Sequence, residues 1–184
     1  MNKEEKEKYF KHEKLIERCR RGDRRAQFEI YKLYYKAMFN SCLRIVNNSV
    51  EAEDLMQESF LKAFNKIETY KGEVAFGAWL KKIVVNNALD YVKKRKLQLI
   101  ELNEAVTSNL YEDDNQISDD VSVESIKEKI KELPDGYRVI LSLYLFEGYD
   151  HEEIASILNI SNSTSRSQYL RAKQRLIKEL NNKE

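Results

Sequence analysis

Apolar positions recur at intervals of three and four along most of this chain, so the pattern predicts helices nearly throughout. After Gly22-Asp23, with Asp23 placed to cap, Phe28, Tyr31, Tyr35, Met38, Cys42 and Val46 trace the expected buried stripe of a long helix. A second helix is expected to open near Asn48, with Glu51 at the reciprocal capping position, and to bury Ala52, Leu55, Ser59, Ala63 and Ile67. A loop over residues 70–77 leads into a third helix anchored by Phe76, Trp79, Leu80 and Ile83. Residues 101–124 carry no sustained period. Beyond them two helices are separated by Pro134, and residues 150–180 read as two short helices joined by a tight turn.

That last pair reads as a helix-turn-helix. Asp150 and Glu153 stand at capping-box spacing, and Ile154, Ala155, Ile157 and Leu158 supply the buried side. The turn is Leu158-Asn159-Ile160, where Asn tolerates the left-handed conformation a tight turn needs, and Ser161 can cap the next helix. On that helix Ser165, Tyr169, Ala172, Leu176 and Leu180 fall on one stripe and should face a core. Arg166, Ser167, Leu170, Arg171, Lys173, Gln174, Arg175 and Lys178 point the other way, and residues 161–178 hold five basic side chains and no acidic one. A basic helix face of this width suits the major groove of DNA, with Ser163, Arg166, Ser167, Leu170, Arg171 and Lys173 as the candidate contacts.

Composition narrows the class. One Pro and 5 Gly in 184 residues argue for an all-α chain, because sheets need more turn punctuation. The expected architecture is two small helical domains joined by a flexible acidic linker: a charged N-terminal extension over 1–20, a first domain over 21–98, the linker over 99–124 and a second domain over 125–184. The longest apolar runs are too short to cross a membrane and the N-terminus is too charged for a signal peptide, so a cytoplasmic chain without membrane insertion is expected. Cys19 and Cys42 form no ligand spacing and are given no role.

The net charge of +1 hides a segregation. Residues 1–25 carry ten basic against six acidic side chains, residues 81–96 six against one, and residues 101–124 eight acidic and no basic ones. The last stretch is either plain solvated tether or a mimic of nucleic acid in a positively charged channel. Glu53, Asp54, Gln57, Glu58 and Lys62 line the outer face of the second helix. A largely acidic face repels phosphate, so it is either solvated or docks on protein. On the third helix Asn86 and Asn87 sit where Asn is a poor helix former, which marks the position for attention. Aromatics beside a basic helix suit unstacked bases, making Tyr70, Phe76, Trp79, Asn86, Lys93 and Lys94 candidates for single-stranded nucleic acid. The alternatives are core packing for Phe76 and Trp79, and dipole compensation for the cations at the helix end.

An enzyme finds little support. His12 and His151 are the only histidines, and His151-Glu152-Glu153 is not a zinc-protease spacing. No metal, cofactor or small-molecule substrate is expected.

Three blocks together resemble a bacterial RNA polymerase sigma factor of the extracytoplasmic-function (ECF) group. Gly22-Asp23 through Phe64, with Glu53-Asp54-Leu55-Met56-Gln57-Glu58-Ser59-Phe60 at its centre, resembles the part of region 2 that docks on the clamp helices of core polymerase. Phe76 through Lys96, with Trp79-Leu80, Ile83, Asn86 and Asp90, resembles the part that melts and reads the minus-ten element. Leu133 through Leu180 resembles region 4, which reads the minus-thirty-five element. The resemblance implies core RNA polymerase, promoter DNA and an anti-sigma factor as partners, docking through Glu53, Asp54, Gln57 and Glu58, and no bond made or broken by the chain itself. Two residues depart from the family pattern: Ser165 where a buried Val is usual, and Asn159 where Gly is usual. The other reading is a two-domain transcriptional regulator that acts on duplex DNA without core polymerase.

Overall fold

The computed structural model describes residues 3–94 and 122–181, with side chains from residue 12 onward. The acidic tether over 101–121 and the cations Arg95 and Lys96 lie outside the described residues. The chain divides into two compact units, Met1–Asp90 and Tyr91–Glu184, and the described residues are helical with no strand.

In the first unit α1 (Lys3–Arg20), α2 (Arg24–Val46) and α3 (Ser49–Asn65) follow one another, and α4 (Phe76–Lys94) begins there and runs past its boundary at Asp90. The charged N-terminal stretch is thus a helix, and it buries Ile16 and Cys19. Asp23 caps α2 by accepting from the Arg25 and Ala26 amides, and Asn48 caps α3 by accepting from Val50 and Glu51. Asn47, between α2 and α3, is left-handed at φ 55°, so two consecutive Asn residues make the whole reversal.

The buried side of α3 is as the pattern predicts, Ala52, Leu55, Ser59 and Ala63, with Ile67 in the 3-10 turn that follows. That of α2 is not. Phe28 is 59% exposed and Tyr35 38%, while Ala26, Ile30, Met38, Cys42 and Ile45 face the core. Two stripes interleave in this helix. Close packing selects the one that begins with the small Ala26, and the bulky residues of the other are left outside.

The second unit contains α5 (Val123–Glu132), α6 (Asp135–Ser142), α7 (His151–Leu158) and α8 (Asn162–Asn181). Ser122 caps α5, so Glu124, expected in the linker, belongs to the first turn of a helix. Pro134 separates α5 from α6 as predicted. A π-helical turn, Leu143–Glu147, extends α6 and ends at Gly148, left-handed at φ 79°. Val139, Ile140, Leu141 and Leu143 meet Ile154, Ala172, Leu176 and Ile177 in the core of this unit, each under 10% exposed.

Candidate nucleic-acid interface

The loop after α3 is closed by its own aromatic. The Tyr70 hydroxyl donates to the Val74 carbonyl at 2.8 Å, and the ring meets Phe76 at 5.2 Å and Trp79 at 5.4 Å between centroids. Phe76 and Trp79 are themselves 5.3 Å apart. Phe76 is only 2% exposed, so it supports the other two rings from beneath, and Tyr70 and Trp79 are the half-buried rings above it. Burial, and then Glu13, pushes the Tyr70 phenol above its ordinary pKa against Arg20, which holds it down.

A cavity of about 780 Å³ opens under this loop, walled by α1 and α2 through His12, Glu13, Ile16, Arg20 and Tyr34. The Tyr34 hydroxyl is 2.7 Å from His12 Nε2, and both rings stand edge-on or tilted to Phe76. A Cβ at Gly77 would sit 2.9 Å from the Tyr34 ring, so glycine there is what lets α4 start this close to α2.

The two mid-helix asparagines separate cleanly. Asn87 is 8% exposed; its amide nitrogen faces the Leu55 carbonyl at 3.2 Å, Glu58 Oε2 at 3.1 Å and Ser59 Oγ at 3.1 Å, and its oxygen accepts from Lys62 Nζ at 2.5 Å. It is a polar staple between α4 and α3. Asn86 points to solvent, and its face of the helix continues to the exposed Asp90, Lys93 and Lys94.

On α3, Glu53, Asp54, Gln57 and Glu58 are all exposed, as the pattern predicts. Gln57 donates to Glu53 at 3.3 Å, and Glu58 pairs with Lys62 at 3.0 Å while also accepting from Asn87. Leu61, one turn beyond Gln57 on the same stripe, is 65% exposed. With Phe28 and Leu33 on α2, each 59% exposed, this unit carries apolar surface that helical periodicity alone misses. The available signal was the pair of competing stripes in α2.

In the second unit the helix-turn-helix has the expected form. Asp150 and Glu153 make a reciprocal capping box, Asn159 is left-handed at φ 57°, and Ser161 Oγ accepts from the Thr164 amide at 3.0 Å. Ser163, Arg166 and Lys173 are exposed, and Ser167, Leu170 and Arg171 half-buried along the outer side of α8. Arg166 Nε donates to Asn162 at 2.8 Å, one turn earlier. The buried Ser165 does not loosen this helix. Its hydroxyl lies 2.9 Å from His151 Nδ1, and His151 stacks on Tyr144 at 4.9 Å, so the polar group has a partner from the preceding helix. Burial first, then Arg166, holds His151 below the ordinary histidine pKa, with Asp150 opposing.

Among the described residues no three His, Cys, Asp or Glu side chains could hold a metal ion, and no helix is long and apolar enough to cross a membrane.

Residues 30–98 match the family model described as Sigma-70 region 2, and residues 124–176 that described as Sigma-70, region 4. The first span starts inside α2 and leaves α1 out. RNA polymerase sigma-H factor of Pseudomonas aeruginosa is 31% identical over 180 residues, 91% of this chain and 93% of that protein. ECF RNA polymerase sigma factor SigM of Bacillus subtilis is 32% identical over 152 residues, 80% of this chain and 91% of that one. Among solved structures, RpoE of Bartonella quintana in complex with the anti-sigma factor NepR aligns with a TM-score of 0.55 at 20% identity, covering 85% of this chain and 97% of that one. CnrH in complex with the cytosolic domain of CnrY aligns with the same score at 19% identity, covering 92% and 97%. At these identities the structural likeness is one of fold.

Proposed function

The chain belongs to the ECF group of RNA polymerase sigma factors, and from that premise we propose which of its surfaces meets each part of the transcription machinery. As a sigma factor it binds core RNA polymerase and directs it to promoters, melting the minus-ten element and reading the minus-thirty-five element. Core polymerase docks on Glu53, Asp54, Gln57 and Glu58 of α3. Leu61 on the same stripe supports a protein partner over plain solvent, since a protein contact pairs an apolar centre with a polar rim.

Tyr70, Trp79 and Asn86 receive the opened minus-ten strand, with Phe76 as the floor of the ring cluster and Lys93 and Lys94 on phosphate. A base taken from the stack needs a ring to lie against and an amide that can donate and accept at its edge. Ser163, Arg166, Ser167, Leu170, Arg171 and Lys173 read the minus-thirty-five duplex. The protein works in the cytoplasm, is held in check by an anti-sigma factor, and makes or breaks no bond itself. The observation that carries these assignments is the sorting of exposed charge: an acidic face on α3, and a basic face on α8 from Ser161 to Lys178.

The test is reconstitution with core polymerase, start-site mapping and footprinting, with Asn86→Ala beside the wild type. We expect the free chain to bind promoter duplex weakly and to initiate only with core. Asn86→Ala should retain core binding and form fewer open complexes. Tight sequence-specific binding by the chain alone would instead mark a regulator that needs no core enzyme, and wild-type opening by Asn86→Ala would remove that residue from the site.

A further inference from the structure

The region 2 match begins at residue 30, yet the wall of the cavity under the 70–75 loop is built in part by α1, which lies before it. A side chain of α1 reaches the loop backbone directly. Arg20, the last residue of α1, donates from Nη2 to the Tyr70 carbonyl at 2.6 Å across fifty residues of sequence. That carbonyl belongs to the residue whose ring meets Trp79 and whose hydroxyl closes the loop on Val74. A charged donor on a carbonyl is among the stronger hydrogen bonds, and a guanidinium is always charged. Its Nη1 reaches Glu17 only at 3.4 Å, and its Nε is buried without a partner among the described residues, so the Tyr70 bond is the short one this group makes. Below it the His12–Tyr34 bond and the contact of both rings with Phe76 tie α1 and α2 to the same floor.

We propose that α1 is a working part of the minus-ten-reading site, with Arg20 as the positioning residue that sets the start of the loop through the Tyr70 carbonyl. This rests on the reading of the loop given above. Arg20 touches no base. It fixes where the Tyr70 and Trp79 rings stand before the strand arrives, so that less ordering is left to do on binding. What the loop requires at that position is a donor. The apolar stem and the helix beneath it are present with or without that donor.

Trp79 is the single tryptophan, so its emission reports the ring cluster in the free full-length chain. Arg20→Met keeps the stem and removes the donors. Arg21→Met removes a 75% exposed cation one residue away and serves as the control for general charge. With Arg20→Met we expect a shifted Trp79 emission at unchanged core binding, and on the order of tenfold weaker binding by the holoenzyme of a single-stranded minus-ten oligonucleotide. Arg20→Lys, which restores a donor, should recover part of both. Arg21→Met should leave the emission where it was. Unchanged emission in Arg20→Met overturns the positioning role of Arg20. Equal losses in Arg20→Met and Arg21→Met on every sequence, with a flatter salt dependence, would make Arg20 a phosphate contact and overturn it as well. Shifted emission with wild-type strand binding overturns the loop's assignment as reader, and the proposal with it.

Discussion

Asn86 and Asn87 are adjacent and chemically identical, yet the structure gives them opposite fates, and replacing each in turn separates staple from contact. The Asn87 amide has two N–H groups, so at any moment it serves two of its three acceptors on α3, while its oxygen accepts from Lys62. At about 1 kcal/mol net per bond, three bonds amount to about 3 kcal/mol. Asn87→Ala strands little else, because Ser59 Oγ still donates to the Leu55 carbonyl at 2.6 Å and Lys62 still pairs with Glu58 at 3.0 Å. The better helix propensity of Ala returns about 0.5 kcal/mol. The net loss is therefore about 2.5 kcal/mol. With a urea slope of about 1.5 kcal/mol/M, the midpoint of this unit should fall by about 1.7 M. Asn86→Ala forgoes no such bonds and should leave the midpoint unchanged or raise it slightly. Trp79 lies in the same unit, so its fluorescence during urea unfolding reads both variants. A midpoint for Asn87→Ala within about 0.3 M of wild type, on the scale of that slope, would falsify the staple, and equal losses in the two variants would erase the distinction.

Asp54→Lys should weaken competition for core polymerase without shifting the urea midpoint, whereas Glu58→Lys should do both, because Glu58 also meets Lys62 and Asn87; core-binding titrations beside unfolding curves tell them apart. Arg166→Ala should cost about 1 to 3 kcal/mol on the cognate minus-thirty-five sequence and relax preference at one or two positions. Lys173→Ala should instead weaken all sequences and flatten the salt dependence, and holoenzyme binding to a panel of altered upstream elements separates the two. Acid should weaken the helix-turn-helix unit through His151. Its folded pKa lies below the unfolded value, so as pH falls past the ordinary histidine range the unfolded chain takes up the proton first and stability is lost. The melting temperature should drop between about pH 7.5 and 5.5, on either side of the ordinary histidine pKa, and drop less in His151→Gln.

Helix identity and capping were readable because they are local. Asp23, Asn48, Asp150, Asn159 and Ser161 each act within a few residues of themselves, and all behave as their spacing predicts. What failed to show was decided by neighbours distant in sequence. Periodicity favoured Phe28 and Tyr35 for the α2 core, but the helix turns Ala26 and Ile30 inward where its neighbours come close. Propensity marked Asn86 and Asn87 equally, and only α3 distinguishes them. Ser165 is a polar residue on the buried stripe of α8, and its partner, His151, lies fourteen residues away. The charged N-terminal stretch announced no site, because the Arg20 bond that links it to the loop spans fifty residues.

The two cysteines, both shut away in the first unit, bear on how the chain can be observed. Burial, with Asp23 adding to it, pushes the Cys19 thiol up to about 11, and Cys42 has no exposed surface. Oxidants and alkylating reagents attack the thiolate, so neither side chain offers them a handle in the folded protein. Neither thiol is therefore placed to receive a redox signal in the folded protein. The same inertness makes the native chain a ready background for spectroscopy: one cysteine introduced on the outer face of α3 and another on that of α8 should take up maleimide dyes selectively, and the distance between these two helices could be followed as the holoenzyme assembles.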